Sequence, residues 1–297
     1  MELNNLKAFV AVANHGSFSS AGEALHLTQP AVSKRVAALE QALDTRLFDR
    51  IGRIPYLTEA GKALLPRAQA MIESMEDIRR TLANLGDQVA GPLVMATSHH
   101  IGLHRLPGIL RRYVQHYPQV DLDLRFMDSE TACRQVEDGA IDLAVVTLPI
   151  EPAPALEARP VWHDPLCFVV GRNHPLAGRK RVALKELLTY PAVLPEHGTY
   201  TREILEQRVT PIGLPIRTGL ATHYLETLKM MTAVGLGWSL LPETLLDDEL
   251  TVLQVPGQRL SRELGIVTHR KRTLSQAARR MIDACSGSLS DPPSATR

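Results

Sequence analysis

Cysteine is scarce. Three occur, Cys133, Cys167 and Cys285, an odd number at wide spacings, which excludes a disulfide scaffold and a close-spaced zinc ribbon and suits a reducing compartment. Aromatic residues make up only 4% of the chain, so the core has to be aliphatic. No apolar run has the length needed to span a bilayer. The opening MELNNLKAFVAVANHG carries neither a cationic leader nor a small-residue cleavage site. These absences predict a soluble, cytoplasmic protein that engages no membrane. Charge of one sign is lacking too: 33 Lys plus Arg against 32 Asp plus Glu leave a net +1. Any basic footprint must therefore be local. No G-x-S-x-G, Walker A or S-x-x-K motif is present, so no catalytic nucleophile, and hence no enzyme, is expected. Gly235-Leu236-Gly237 starts like a dinucleotide fingerprint, but Leu240 stands where the third glycine belongs, and no cofactor is implied.

What is present is 297 residues with 44% hydrophobic content, enough for two or three domains. At the N-terminus Leu6, Phe9, Val10 and Ala13 define one helical face. Gly16 ends that helix and Ser17 caps a short second one, with Ala21, Ala24 and Leu25 facing inward. Thr28 caps a third, with Pro30 in its first turn, and its buried stripe is Val32, Val36, Leu39 and Leu43. Two short helices joined by a tight connection, the second opening on a cap, form the helix-turn-helix pattern. The opposite face of the third helix carries Gln29, Pro30, Ser33, Lys34, Ala37 and Gln41, small or hydrogen-bonding groups that let a helix approach base edges. Lys34 and Arg35 reach guanine edges or phosphates, and Gln29 reads adenine. Downstream, Arg50 and Arg53 flank a Gly-centred turn between two short extended runs, a wing that puts cations beside the DNA backbone or in its minor groove. Between Thr28 and Tyr56 stand five basic residues against three acidic ones. The same amphipathic packing also suits an interaction module that never touches DNA. The combination of helix face and wing favours double-stranded DNA.

Three stretches carry a specific likeness: Gly22 to Glu40 (GEALHLTQPAVSKRVAALE), Leu47 to Arg50 (LFDR) and Leu57 to Gly61 (LTEAG). In order and spacing they resemble the N-terminal domain of LysR-type transcriptional regulators, and the likeness extends to about residue 285. The resemblance implies an α/β protein with an N-terminal winged helix-turn-helix, a linker helix, and a two-lobed effector domain of the type II periplasmic-binding-protein kind. The corresponding expectation is a DNA-binding domain over 1–57, a linker and dimerisation helix over 58–90, an effector domain over 91–285 and a disordered tail over 286–297. Within the effector domain, 91–162 and 268–285 would form the first lobe and 163–267 the second. The resemblance also implies a homotetramer built from two dimers contacting adjacent promoter sites.

After Thr58, Leu64, Ala68, Met71, Met75, Ile78, Leu82 and Leu85 follow one another in steps of four and three. That heptad register suits a coiled coil joining two copies of the chain. About 30 residues of helix would extend about 45 Å, and Pro66 should kink it. The alternative is a helix packed against its own domain.

From Gly91-Pro92 onward, strand-like and helical runs alternate, the mark of a parallel sheet with right-handed crossovers. The runs Leu93 to Thr97, Val120 to Phe126 and Ile141 to Val146 read as strands, and a helix with Leu106, Ile109, Leu110, Tyr113 and Tyr117 on one face follows the first. VWHDPLCFVV crosses into a second lobe, and Leu264 to Thr268 returns. Ligands of such sheets sit beyond the carboxyl ends of the strands. That rule singles out Thr97, Ser98, His99 and His100; Asp128 and Ser129; Thr147; and His197 and Thr199. Arg202, just inside the next helix, would add a charge-assisted contact. The family resemblance supports Thr97, Ser98, Thr147 and Thr199 in particular. Hydroxyls and helix N-termini favour a small anionic effector, while Asp128 leaves a zwitterion such as an amino acid open.

Two further readings compete. His99, His100 and His104 include a pair one helical turn apart, but with no cysteine or carboxylate at ligand spacing they read as polar lining rather than a metal site. Cys133 and Cys167 would serve a redox-sensing regulator, as in one branch of the family, yet they lie on opposite sides of a lobe crossing with no evident basic arrangement around them, and read as buried structural thiols.

Overall fold

The computed structural model describes residues 2–51, 54–84, 86 and 88–287, without the side chains of Arg50, Ile51, Ile54, Glu76 and Ala83. The tail expected from 286 onward therefore lies largely outside the described residues, as do Arg53 and Leu85. The chain divides into two compact units, Met1–Leu85 and Gly86–Arg297. Among the described residues no helix is long and apolar enough to cross a membrane.

The first unit contains α1 (Leu3–His15), α2 (Phe18–Ala24), α3 (Gln29–Leu43), the antiparallel pair β1 (Phe48–Ile51) and β2 (Ile54–Leu57), and α4 (Glu59–Ala83). Gly16 closes α1 in the left-handed conformation at φ 64°. The Ser17 hydroxyl caps α2 by accepting from the backbone N–H groups of Ser19 and Ser20, and Thr28 caps α3 by accepting from Ala31 N–H at 3.4 Å. Gly22 lets the two helices meet, since a Cβ there would stand 2.7 Å from the Leu27 carbonyl oxygen. The core joins Leu6, Phe9, Val12, Ala21, Val32, Val36 and Leu39, each large aliphatic group contributing about 1.5–3 kcal/mol by leaving water. The inward face of α1 is turned slightly from the expected stripe: Ala8 and Val12 are buried, Val10 and Ala13 only partly so. Ala24 and Leu43, expected inside, are exposed.

The linker helix behaves as two halves. Ala68 is fully buried and, with Leu64, packs into the core of this first unit. Met71, Met75, Ile78 and Leu82 are instead 46%, 41%, 50% and 62% exposed. The expected single seam is corrected accordingly. A heptad pattern specifies a face but not its partner, and the first turns find theirs on their own domain. The helix has 25 residues, about 37 Å, and is continuous through Pro66.

In the second unit, β3 (Gly91–Thr97) is followed by α5 (His99–His104) and α6 (Pro107–His116), then β4 (Val120–Phe126), α7 (Ser129–Glu137) and β5 (Leu143–Thr147). The one helix expected after β3 is two, because Pro107 cannot donate into a preceding turn and so opens a new helix. A 16-residue strand, β6 (Leu156–Gly171), leads to α8 (Leu184–Leu187), β7 (Ala192–Leu194), α9 (Tyr200–Val209), β8 (Thr218–Ala221), α10 (Leu225–Ala233), β9 (Ser239–Pro242) and β10 (Leu250–Val252). The chain returns along β11 (Leu260–His269) and ends in α11 (Gln276–Cys285).

β3 pairs in parallel with β4 and β5, whereas β11 runs antiparallel to both β5 and β6. The sheet order β10-β6-β11-β5-β3-β4 makes β6 and β11 the two strands shared by both lobes. Leu264 and Ile266 already belong to the first-lobe core, while Leu260 and Leu166 belong to the second. The return crossing thus falls between 260 and 264, earlier than the boundary expected at 268. A bulge between Leu264 and Gly265 marks it. Gly265 is required there, because a Cβ would lie 2.2 Å from the Arg159 carbonyl oxygen.

Candidate functional site

On the first unit, Gln29, Pro30 and Lys34 are exposed along α3, with Ser33 and Arg35 half-buried beside them and Thr28 exposed at its cap. The end of α3 is tied to the strand pair by Glu40, whose carboxylate accepts from Leu47 N–H at 2.8 Å and Phe48 N–H at 3.2 Å. That brace fixes β1, and with it the backbone of Arg50, relative to α3. The side chain of Arg50 and the whole of Arg53 lie outside the described residues.

On the second unit, a cavity of about 50 Å³ lies between the lobes, enough for a few waters or a small ion. The first lobe supplies Ser98, His99, His100, Asp128, Ser129 and Thr147, all expected from their positions at strand ends, and Glu130, which was not expected. From the second come Pro195, Thr199, Thr201, His223 and Leu225, and Arg262 closes it from β11. A wider recess of about 240 Å³, sharing Ser98, His99, Asp128 and His223 and adding Phe126, Met127 and Tyr224, adjoins it.

Local hydrogen bonds hold this lining. Ser129 Oγ accepts from Thr147 N–H at 3.1 Å. Asp128 caps α7 by accepting from Thr131 N–H at 2.7 Å. Burial pushes the Asp128 carboxyl up, but its hydrogen bonds to Thr131 outweigh that and hold it below its ordinary value. Glu130 accepts from Tyr200 N–H at 2.6 Å, so the N-terminus of α9 already holds a carboxylate of the chain itself. Burial nevertheless raises the Glu130 pKa.

Arg262 is the buried cation of the cavity. Its Nε donates to Asp164 at 2.8 Å and its Nη1 to Thr201 Oγ1 at 2.9 Å. Asp164, itself fully buried, also accepts from Arg105 Nη2 at 3.3 Å. Burial lowers the Arg262 pKa against the pull of Asp164. Its Nη2 is buried with no hydrogen-bond partner, a state that costs about 1–3 kcal/mol or more for a charged group. Sequence reasoning missed Arg262, although a signal was there. Along Leu260, Arg262 and Leu264, the strand alternation puts an arginine where an apolar residue belongs.

Three expected positions do not face the cavity, and the expectation is corrected for each. Thr97 is fully buried, its hydroxyl donating to the Val145 carbonyl oxygen at 2.8 Å as a brace between strands. Arg202 turns away along its own helix, donating to Glu206 at 2.7 Å and to Thr218 Oγ1 at 3.0 Å. His197 is exposed and pairs with the same Glu206 at 2.9 Å. An i,i+4 acid was available to Arg202, and that local partner captured it.

The histidines find what the sequence lacked. Glu226 Oε1 accepts from His100 Nδ1 at 3.2 Å and His104 Nε2 at 3.1 Å, bringing a carboxylate from α10 onto α5. The expected absence of a carboxylate at ligand spacing is therefore corrected: one arrives from the other lobe. Burial pushes Glu226 up, yet its hydrogen bonds to His100, its own backbone and His104 win and hold it at about 2. Burial lowers His100 more than Glu226 raises it. As for the thiols, burial pushes Cys133 to about 11 and also raises Cys167. Both stay protonated at neutral pH, the unreactive state.

The two units also match known proteins. A model of the LysR substrate binding domain matches residues 86–290, and one of the bacterial regulatory helix-turn-helix proteins of the lysR family matches residues 3–62. The chain belongs to the LysR family of transcriptional regulators. Relatives include the uncharacterized regulator YeiE of Escherichia coli K12, 31% identical over 95% of this chain and 96% of that one. The RuBisCO operon transcriptional regulator of Allochromatium vinosum is 30% identical over 94% of this chain and 93% of its own. Among solved structures, a full-length OxyR variant from Pseudomonas aeruginosa shares the fold at TM-score 0.68 and 23% identity, covering 97% of this chain and 94% of that one. The regulatory domain of Synechocystis CcmR, solved with 2-PG, aligns at TM-score 0.60 and 24% identity over 66% of this chain and 96% of that one. This LysR regulator is accordingly a DNA-binding transcription factor with an effector-binding domain, not an enzyme.

Proposed function

We propose that this regulator senses a small anion held by Arg262 in the cavity between its lobes. The observation that carries this is Arg262, which lines the cavity and whose Nη2 is buried without a hydrogen-bond partner. Ser98, Thr147, Thr199 and Thr201 add hydroxyls around it, and the small volume favours an inorganic oxyanion or a short carboxylate. A ligand contacting both lobes shifts the population of lobe arrangements by its differential affinity for them. DNA is read by the face of α3 bearing Thr28, Gln29, Pro30, Ser33, Lys34 and Arg35, with Arg50 and Arg53 at the wing. The exposed half of α4, Met71 to Leu82, supports a homodimer, or a homotetramer of two such dimers, whose heads address promoter half-sites about 34 Å apart or at a multiple of that distance.

The test is a thermal-shift and DNA-retardation screen of inorganic oxyanions and small carboxylates on the full chain. A supporting result is one anion that both raises the melting temperature in a dose-dependent way and alters retardation of promoter DNA. Stabilisation by neutral or cationic molecules alone would overturn the reading. On the DNA side, Lys34→Ala relaxes sequence preference, whereas Arg50→Ala weakens binding to all sequences and reduces the salt slope by about 1.

A further inference from the structure

We propose that His100, His104 and Glu226 form a binding site for one divalent transition-metal ion of the zinc type, bridging the two lobes of the effector domain. Each residue offers one ligand atom, and these atoms all lie within 4.8 Å of one another. Among the described residues this is the one such group of three. A tetrahedral zinc ion with bonds of about 2.0–2.1 Å places its ligand atoms about 3.3 Å apart. The two nitrogen–oxygen separations are 3.2 and 3.1 Å, and the three atoms span no more than 4.8 Å, so rotation of the imidazoles closes the set around an ion. Two imidazoles and one carboxylate are also the donor set that leaves a fourth position for water or another oxygen.

Two observations beyond the cluster point to a cation. Glu226 Oε2 is buried and has no hydrogen-bond partner, an acceptor whose negative charge is only half answered by the two rings. The far nitrogen of His100, Nε2, lies 3.3 Å from Thr244 Oγ1. With the proton on Nε2, that hydroxyl accepts it and frees Nδ1 to bind metal, the outer-shell arrangement that orients a ligating histidine. The rings of His100 and His104 stand 4.6 Å apart on one face of α5. Nearby, Arg105 and Arg262 share Asp164, leaving one uncompensated positive charge beside the cluster. That charge favours modest rather than very tight binding.

The ligands belong to different lobes, His100 and His104 to the first and Glu226 to the second, so the ion ties the lobes together. His100 also lines the anion cavity, which places the ion at its margin. The metal site rests on the cluster alone and stands whether or not an anion occupies the cavity.

The experiment uses the full chain, stripped of metal with a chelator and dialysed. Co2+ is titrated while its visible absorption is followed, and Zn2+ is titrated in competition with a chromophoric chelator. The expected result is one equivalent per chain with the intense Co2+ spectrum of a four- or five-coordinate site. His104→Asn and Glu226→Gln each weaken binding by more than the about 10- to 100-fold expected for the outer-shell change Thr244→Val. His104 is partly exposed and Glu226→Gln keeps its shape, so both variants retain the fold; circular dichroism checks that. Absence of stoichiometric binding by the wild-type chain overturns the proposal, as does binding that survives unchanged in the double variant.

Discussion

Two buried arginines in the effector unit invite comparison. Arg202 at the start of α9 and Arg262 at the crossing of β11 are both almost wholly inaccessible, both are paired with an acid, and each leaves one guanidinium nitrogen without a partner. Arg202 is held by Glu206, four residues away on the same helix and one-third exposed. Arg262 is held by Asp164, 98 residues away, buried, and shared with Arg105. The first is a local affair at the flank of one lobe. The second joins segments that meet only where the lobes meet, and its side chain lines the cavity. Distance along the chain to the partner, rather than the presence of a charge, separates the structural arginine from the candidate ligand.

Breaking each pair should expose that difference. Asp164→Ala strands the buried Arg262 guanidinium and takes a partner from the half-buried Arg105, and is expected to cost about 3–5 kcal/mol. Glu206→Ala removes a partner that is itself one-third exposed, so water can take its place, and is expected to cost about 1–2 kcal/mol. Equal losses in urea unfolding would contradict the distinction. A smaller effect lies in the pH dependence beside Arg262. His100 has a folded pKa below its unfolded 6.5, so the unfolded chain binds the extra proton. Its stabilising share is complete above pH 6.5 and shrinks as pH falls through the folded value. Glu226 adds a share that is complete above 4.5 and is lost only as pH falls towards about 2. His100→Asn should therefore flatten the loss of stability just below pH 6.5 and, by removing the ring that helps hold Glu226 low, lessen the loss below 4.5 as well; an unchanged profile between 6.5 and 4.5 would refute this. Smallest of all is His197→Ala. Its ring is largely exposed, and the change should cost no more than about 0.5 kcal/mol with no effect on anion binding. A lost anion response in this variant would return His197 to the cavity.

What could be read in the sequence was local. Gly16, Ser17 and Thr28 announce helix ends within four residues of the groups they serve, and Val32, Val36 and Leu39 mark a face by period alone. Ser98, Asp128, Ser129, Thr147 and Thr199 were legible as cavity residues because strand ends locate a ligand in any parallel sheet. The linker register was legible, but not which half of it is covered, because Leu64 and Met71 obey the same period. Likewise the i,i+4 pair His100 and His104 was visible, while Glu226 was not, since 122 residues separate it from His104. Arg262 lay between. Its off-pattern charge in an apolar strand was readable, and only its partners were not.

The most direct measurement is a calorimetric titration of the stabilising anion into three full-length proteins: wild type, Arg202→Met and Arg262→Met. Binding that is unchanged in Arg202→Met and weakened about 10- to 100-fold in Arg262→Met is the expected result. Binding that survives in Arg262→Met, or that is lost only in Arg202→Met, would contradict the assignment of the anion to the crossing between the lobes.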